Sequence, residues 1–178
     1  MLPIGPLMIE HRLIEKVIEL IRIESEKVKK GKAVNELFID TSVDFIRIYA
    51  DRTHHGKEED VLFRDLAKKN LTEEDQRIMR ELIEEHRIAR STVKMLEEAK
   101  EGYFSGEKDK LPILLQLFDA IVDLYPGHIQ KEDKVFFPSS MKYFDTEEQK
   151  IMLKEMREFD RKMIHEKYRL VYEKLKTE

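Results

Sequence analysis

The chain contains no cysteine. That removes disulfides, thiolate catalysis, iron–sulfur clusters and every cysteine-based zinc site. Any metal ligands must then be histidine or carboxylate. Six glycines and five prolines in 178 residues are too few for an all-β chain full of turns. No block of one charge interrupts the sequence. A net charge of −4 with no basic stripe gives nucleic acid no footprint. The most apolar run, residues 111–125, is broken by Gln116, Asp119 and Asp123, so no membrane span is expected. The first residues, Met1-Leu2-Pro3-Ile4-Gly5-Pro6, lack the basic start and long apolar core of a signal peptide. These absences predict a soluble, cytoplasmic protein with neither nucleic-acid nor membrane partners.

What the chain has in surplus is charge. Lys, Arg, Asp and Glu make up 39% of it, against about 25% in typical domains, and their interleaving suits the solvated faces of long helices. The length fits one domain, residues 1–178. Leu7, His11, Ile14, Ile18 and Ile21 are spaced 4, 3, 4, 3, the stripe of an amphipathic helix. Val43, Ile46, Ala50, His54, Glu58 and Val61 form the inward line of a second helix, from about residue 32 to 69. Gly56 within it predicts a local irregularity. A third helix, to about residue 100, turns Met79, Leu82, His86, Ala89, Val93 and Leu96 inward. The fourth runs from about 111 to 137, with Leu114, Leu117, Ile121, Leu124, His128, Glu132 and Val135 inward. Pro126 is expected to kink or restart it, and Pro138 to stop it. Asp145-Thr146-Glu147-Glu148 caps a fifth helix over about 145–177.

One stretch occurs twice. His54-His55-Gly56-Lys57-Glu58-Glu59-Asp60-Val61-Leu62-Phe63 returns as His128-Ile129-Gln130-Lys131-Glu132-Asp133-Lys134-Val135-Phe136-Phe137, at an offset of 74. Glu10-His11-Arg12 likewise returns as Glu85-His86-Arg87. The simplest reading is a duplicated two-helix hairpin. Each copy carries one His on its first helix and His-x-x-x-Glu on its second. The expected fold is all-α: an up-down-up-down four-helix bundle over residues 7–138 plus the fifth helix. The fifth helix looks like the start of a third copy, with Asp160 where His86 would recur.

A single His-x-x-x-Glu is weak evidence, because acidic residues are abundant and His11–Glu15 and His55–Glu59 show the same spacing. Four His and two Glu on the inward lines of four consecutive helices, in duplicate, are another matter. Residues four apart in a helix share one face, and buried carboxylates are costly unless paired or metal-bound. His11, His54, Glu58, His86, His128 and Glu132 are therefore the candidate metal ligands. Nitrogen and oxygen donors without sulfur suit iron, manganese or zinc.

These residues, with the Lys-Glu-Glu/Asp-x-Val-Leu/Phe-Phe continuation, resemble the hemerythrin-like (HHE cation-binding) domain over roughly residues 7–138. The resemblance implies a non-haem di-iron centre. His11 and His54 would hold one iron, His86 and His128 the other, and Glu58 and Glu132 would bridge them. Oxygen-carrying hemerythrins have a further His where this chain has Arg90, and a carboxylate at the place of Asp133 rather than Glu132. The four-His, two-Glu set is closer to the di-iron domain of repair-of-iron-centres proteins, which also carry a Cys-containing N-terminal segment that has no counterpart here.

Among the neighbours, His55 is expected beside the site or at the surface, rotated about 100° from His54. Glu59 and Asp133 read as solvated or supporting residues, Arg90 as part of a flank salt bridge, and Tyr125 as core or as a donor to a bound ligand. Met79, Met95, Met152 and Met156 fall at core spacing, and His165 reads as surface. The function implied is binding of oxygen, nitric oxide or peroxide for sensing, storage or scavenging. An enzyme reducing nitric oxide or peroxide with a redox partner, an iron reservoir, and a metal-free interaction helix bundle are the alternatives. The fifth helix would pack along the bundle or mediate homo-oligomer formation.

Overall fold

The computed structural model describes the backbone of residues 2–177 and the side chains of residues 2–167. Five long helices account for the fold, and there is no strand among the described residues. Helix α1 is Ile4–Lys29. Helix α2 covers residues 36–66, α3 is Glu73–Phe104, α4 covers residues 111–140 and α5 is Thr146–Thr177. Short connections join α1 to α4 into an antiparallel bundle, in which α4 packs on both α1 and α3, and α2 on α3. No described helix is long and apolar enough to cross a membrane.

Local chemistry fixes the helix ends. Gly31 takes φ +86°, the left-handed conformation that stops α1 at little cost to glycine. The Asn35 side chain accepts a hydrogen bond from Phe38 N at 3.1 Å to start α2. Thr72 Oγ1 does the same for Asp75 N at 3.2 Å in α3. At the start of α5, Asp145 Oδ1 accepts from the backbone of Glu147 and Glu148, and Asp145 N donates to Glu148 Oε2. That reciprocal arrangement is a capping box.

Two helices carry turns wider than α. Helix α2 passes through π-helical segments at Ile46–His55 and Glu58–Phe63, and α4 through one at Glu132–Phe136. Such insertions concentrate at functional sites because they re-aim side chains by one position. The irregularity expected around Gly56 is therefore present, on both sides of it. In α4 the wide turn advances the register. Phe136 is buried and Val135 is 48% exposed, the reverse of what unbroken 3.6-residue spacing predicts. Leu124 is likewise only half-buried, and its neighbour Tyr125 faces the core. The helix runs unbroken through Pro126. It continues past Pro138 to Ser140, because Pro138 sits in the first turn after the π segment, where a missing N–H is tolerated.

The core has two apolar layers. One is built from Ile14, Ile18, Ile46, Val93, Leu117, Ile121 and their neighbours. The other contains Leu7, Leu62, Phe63, Leu82, Phe136 and Phe137 with Met152 and Met156 of α5. Met95, by contrast, is 45% exposed and takes no part. Helix α5 packs along the π-helical part of α2. Its Asp160, at the position where a third histidine would recur, instead accepts a hydrogen bond from Lys57 Nζ at 2.6 Å. Lys57 is fully buried.

Candidate metal centre

Between the two apolar layers lies a polar one. His11, His54, Glu58, His86, His128 and Glu132 are all buried, none more than 4% exposed. The structure brings together all six residues that the sequence nominates. One cluster of donor atoms, from His11, His54, Glu58 and Glu132, falls within 4.8 Å of one another. A second, from His86, His128, Glu58 and His55, does the same. Glu58 belongs to both. Glu132 Oε2 is 3.3 Å from His128 Nε2 and 3.1 Å from His11 Nε2, so it too lies between the clusters.

The histidines are held in one orientation by a second duplicated set. His11 Nδ1 pairs with Asp133 at 2.8 Å and His86 Nδ1 with Glu59 at 2.7 Å, each from the helix of the other hairpin. His54 Nδ1 pairs with Glu10 at 2.9 Å and His128 Nδ1 with Glu85 at 2.8 Å, each within its own hairpin. An ionised carboxylate can only accept, so every Nδ1 carries a proton and every Nε2 faces inward, its lone pair free wherever the ring is neutral. Each of the four carboxylates is in turn paired with a base: Glu10 with Lys57, Glu85 with Lys131, Glu59 with Arg90 and Asp133 with Arg12. These bases offset the outer carboxylates, and Lys57 and Arg90 are shared with Asp160 and Asp51 as well.

The phenylalanines that end each repeat pave one wall. Phe137 lies parallel to the His11 ring, centroids 5.6 Å apart, and Phe63 parallel to His86 at 6.1 Å. Sequence reasoning found Glu59 and Asp133 as supporting residues and Arg90 as a salt-bridge partner, which pairs with Asp51 and Glu59 at 2.7 Å. It missed Glu10, Glu85, Lys57 and Lys131, although the duplicated Glu-His dipeptide and the duplicated Lys were visible. Of the two places expected for His55, the structure takes the one beside the site: the residue is buried, with its ring stacked on His86 at 3.7 Å and 13°. The π-helical turn is the cause, since it swings His55 away from the flank that 3.6-residue geometry assigns it. His165 is at the surface, as expected.

Whether these residues fit a metal is decided by their unpaired atoms. Among the described residues, the buried side-chain atoms without a hydrogen-bond partner are the four Nε2 atoms, all four oxygens of Glu58 and Glu132, both ring nitrogens of His55, and Tyr125 Oη. At roughly 1–3 kcal/mol for each unsatisfied buried group, such a set would rival a net stability of about 5–15 kcal/mol. The Nε2-to-carboxylate separations of 3.1, 3.3, 3.4 and 3.3 Å lack hydrogen-bond alignment. They do match neighbouring donors on one ion, about 3 Å apart for bonds of about 2.1 Å at right angles. The residues fit a pair of cations.

Electrostatics in the metal-free protein point the same way. Burial, with repulsion from His54, pushes His11 down to about 4. Burial opposes charge on His54 too, but Glu58 and Glu10 outweigh it and push it up to about 9. Burial and the neighbouring Glu58 hold Glu132 well above the usual carboxylate range. Burial and the imidazoles of His86 and His128 hold His55 well below its ordinary value. Two carboxylates this close share protons until cations replace them.

Tyr125 lines two clefts of about 280 and 260 Å³. The first is also lined by Arg12, Ile129 and Asp133, the second by Asp51, Ala89 and Arg90.

The comparisons with known proteins agree with this geometry. The family model described as hemerythrin HHE cation binding domain matches residues 2–108 and again residues 77–171. The first match covers α1 to α3 and the second α3 to α5, one hairpin further on, which is the duplication seen a second way. No curated protein and no solved structure matches the chain.

Proposed function

The chain belongs to the hemerythrin HHE cation-binding domain family, and from that premise we propose that it is a non-haem di-iron protein binding oxygen, nitric oxide or peroxide. His11 and His54 would hold one iron, His86 and His128 the other, and Glu58 and Glu132 would bridge them. Manganese or zinc could occupy the same donors. The observation that carries this reading is the convergence on one layer, among the described residues, of the unpartnered buried side-chain atoms of His11, His54, Glu58, His86, His128 and Glu132. Iron bound there would supply redox activity and a place for a small ligand to bind.

The protein's own residues do the rest. Glu10, Glu59, Glu85 and Asp133 fix each imidazole in one tautomer and aim Nε2 inward. The apolar layers on either side keep the polar one dry, which strengthens every charge interaction within it. Burial and the nearby charge of Asp51 hold the Tyr125 hydroxyl protonated. Its unpartnered Oη is therefore a hydrogen-bond donor for a small ligand. Retention of such a ligand, for sensing, storage or scavenging, is the role that this arrangement serves.

The test is metal content and the near-UV and visible spectrum of protein purified anaerobically, before and after exposure to air and to nitric oxide. About two irons per chain, with new absorption on adding either gas, supports the reading. His54→Ala and Glu132→Ala should each abolish stoichiometric uptake. One tightly held zinc with no spectral response would overturn it. Sustained consumption of nitric oxide or peroxide with an electron donor would move the role from binding to reduction.

A further inference from the structure

The duplication is broken at one position inside the polar layer. The repeat pairs His54 with His128, Lys57 with Lys131 and Glu58 with Glu132, yet it pairs His55 with Ile129. Both residues are buried, at 1% and 3% exposure. Ile129 belongs to the apolar layer and needs no partner. His55 is a polar ring in the equivalent place, and neither of its nitrogens has a hydrogen-bond partner. Its closest carboxylate oxygen, Asp51 Oδ1, is 3.5 Å from Nδ1, too long for a good hydrogen bond. A neutral imidazole offers one N–H and one lone pair, and here both are idle. Leaving them so is costly relative to an apolar residue such as isoleucine.

The surroundings say what the lone pair is for. The ring lies against His86 and meets His128 edge-on, with centroids 5.6 Å apart. One of its nitrogens falls with the donor atoms of Glu58, His86 and His128 inside a 4.8 Å cluster. Donors on opposite sides of one ion stand about 4.2 Å apart for bonds of about 2.1 Å, so closure on a metal draws the donors in by a few tenths of an ångström and turns the His55 ring out of its stack on His86, because each imidazole binds in its own ring plane.

We propose that His55 is a seventh protein ligand, completing the metal position built by His86, His128 and the bridging carboxylates. The inference rests on the two-metal reading given above and deepens it. The two positions are then unequal. One has three imidazoles, while the other, with Ile129 in the duplicate place, has only those of His11 and His54. The position with fewer protein donors is the one left open to a small ligand.

Cobalt(II) reports this without any activity assay, because its visible bands intensify as coordination number falls. Wild-type protein, His55→Phe and His55→Ala would each be titrated with cobalt(II), following absorbance and binding heat. His55→Phe keeps an aromatic ring stacked on His86 and removes the donor, so it separates ligation from packing. The expected result is two sites in wild type. In His55→Phe one site is unchanged, and the other is weakened at least tenfold with more intense bands. In His55→Ala, millimolar imidazole should restore the weakened site. Two sites of wild-type affinity and spectrum in folded His55→Phe would overturn the proposal and leave the two-metal reading standing. Fewer than two sites in the wild type would overturn both.

Discussion

Glu10 stands beside His11 in α1, yet its carboxylate accepts its hydrogen bond from Nδ1 of His54 in α2, at 2.9 Å. One hairpin helix thus offers its own ring to the centre and aims the ring of its partner helix. Glu85 repeats the relationship with His128 at 2.8 Å. Outer carboxylates of this kind typically govern metal affinity by 10–100-fold. Glu85→Gln is the cleaner variant to make, because its basic partner Lys131 is partly solvated whereas Lys57 is fully buried. Metal affinity measured against a competing chelator should fall by about tenfold or more. The metal-free melting temperature should move little. Unchanged affinity would mean that the Nδ1 partner does not tune the ring.

Glu58 and Glu132 predict the opposite balance between stability and binding. Two buried carboxylates within 4.8 Å repel one another unless protons or cations intervene. In metal-free protein, Glu132 must take up a proton to be buried beside Glu58, and Glu132→Gln removes that cost and keeps the shape. Functional sites that store such strain often gain stability when it is relieved. The metal-free melting temperature should rise by several degrees, which for a chain of this size corresponds to about 1–2 kcal/mol. The same variant should lose stoichiometric metal uptake. Calorimetry with and without metal reads both outcomes, and a lower metal-free melting temperature would contradict the prediction.

The helical stripes carried most of this into the sequence. Leu7, His11, Ile14, Ile18 and Ile21 were legible as one inward face because α1 is a regular helix, and all five are buried. The hairpin duplication was legible because its ligands recur at nearly one offset, 74 residues for His54 and Glu58 and 75 for His11. What stayed hidden has two physical causes. A π-helical turn shifts phase by one residue, so Val135 and Phe136 exchange roles and His55 enters the core; Gly56 announced an irregularity in α2 but not its phase, and no residue type announced the one in α4. The partners of the histidines, Glu10 and Glu85, lie on other helices. Their role depends on which helices become neighbours, which periodicity along one helix does not encode.

Gly56 marks where α5 approaches α2. A Cβ added there would lie 2.7 Å from Cζ of Phe159 and 3.1 Å from its Cε1. The ring would have to give way, and over-packing of this kind costs about 1–3 kcal/mol. Alanine's better helix propensity returns up to about 1 kcal/mol, so the clash should win. Gly56→Ala alone should destabilise the protein. Gly56→Ala with Phe159→Leu should recover much of the loss, a non-additivity that a double-mutant cycle in urea would measure. Additive effects would place Phe159 away from Gly56 in solution.

Asp75 ties the start of α3 to the turn after α4. Its Oδ2 accepts hydrogen bonds from Thr72 Oγ1 at 2.8 Å and from Tyr143 Oη at 2.5 Å. Burial pushes the carboxyl upward, but hydrogen bonds from Tyr143, Ser139 and Thr72 outweigh it and hold it below the usual aspartate range. A carboxyl with a depressed folded-state pKa stabilises the fold at pH values above its unfolded value of about 3.9. That contribution disappears as pH falls through the folded value. Asp75→Asn should therefore be less stable than wild type by about 1 kcal/mol at pH 7. The gap should narrow steadily below about pH 4. Urea melts of metal-free protein at pH 7 and pH 3 would show it. A gap that stays constant between those values would assign Asp75 a packing role in place of an ionic one.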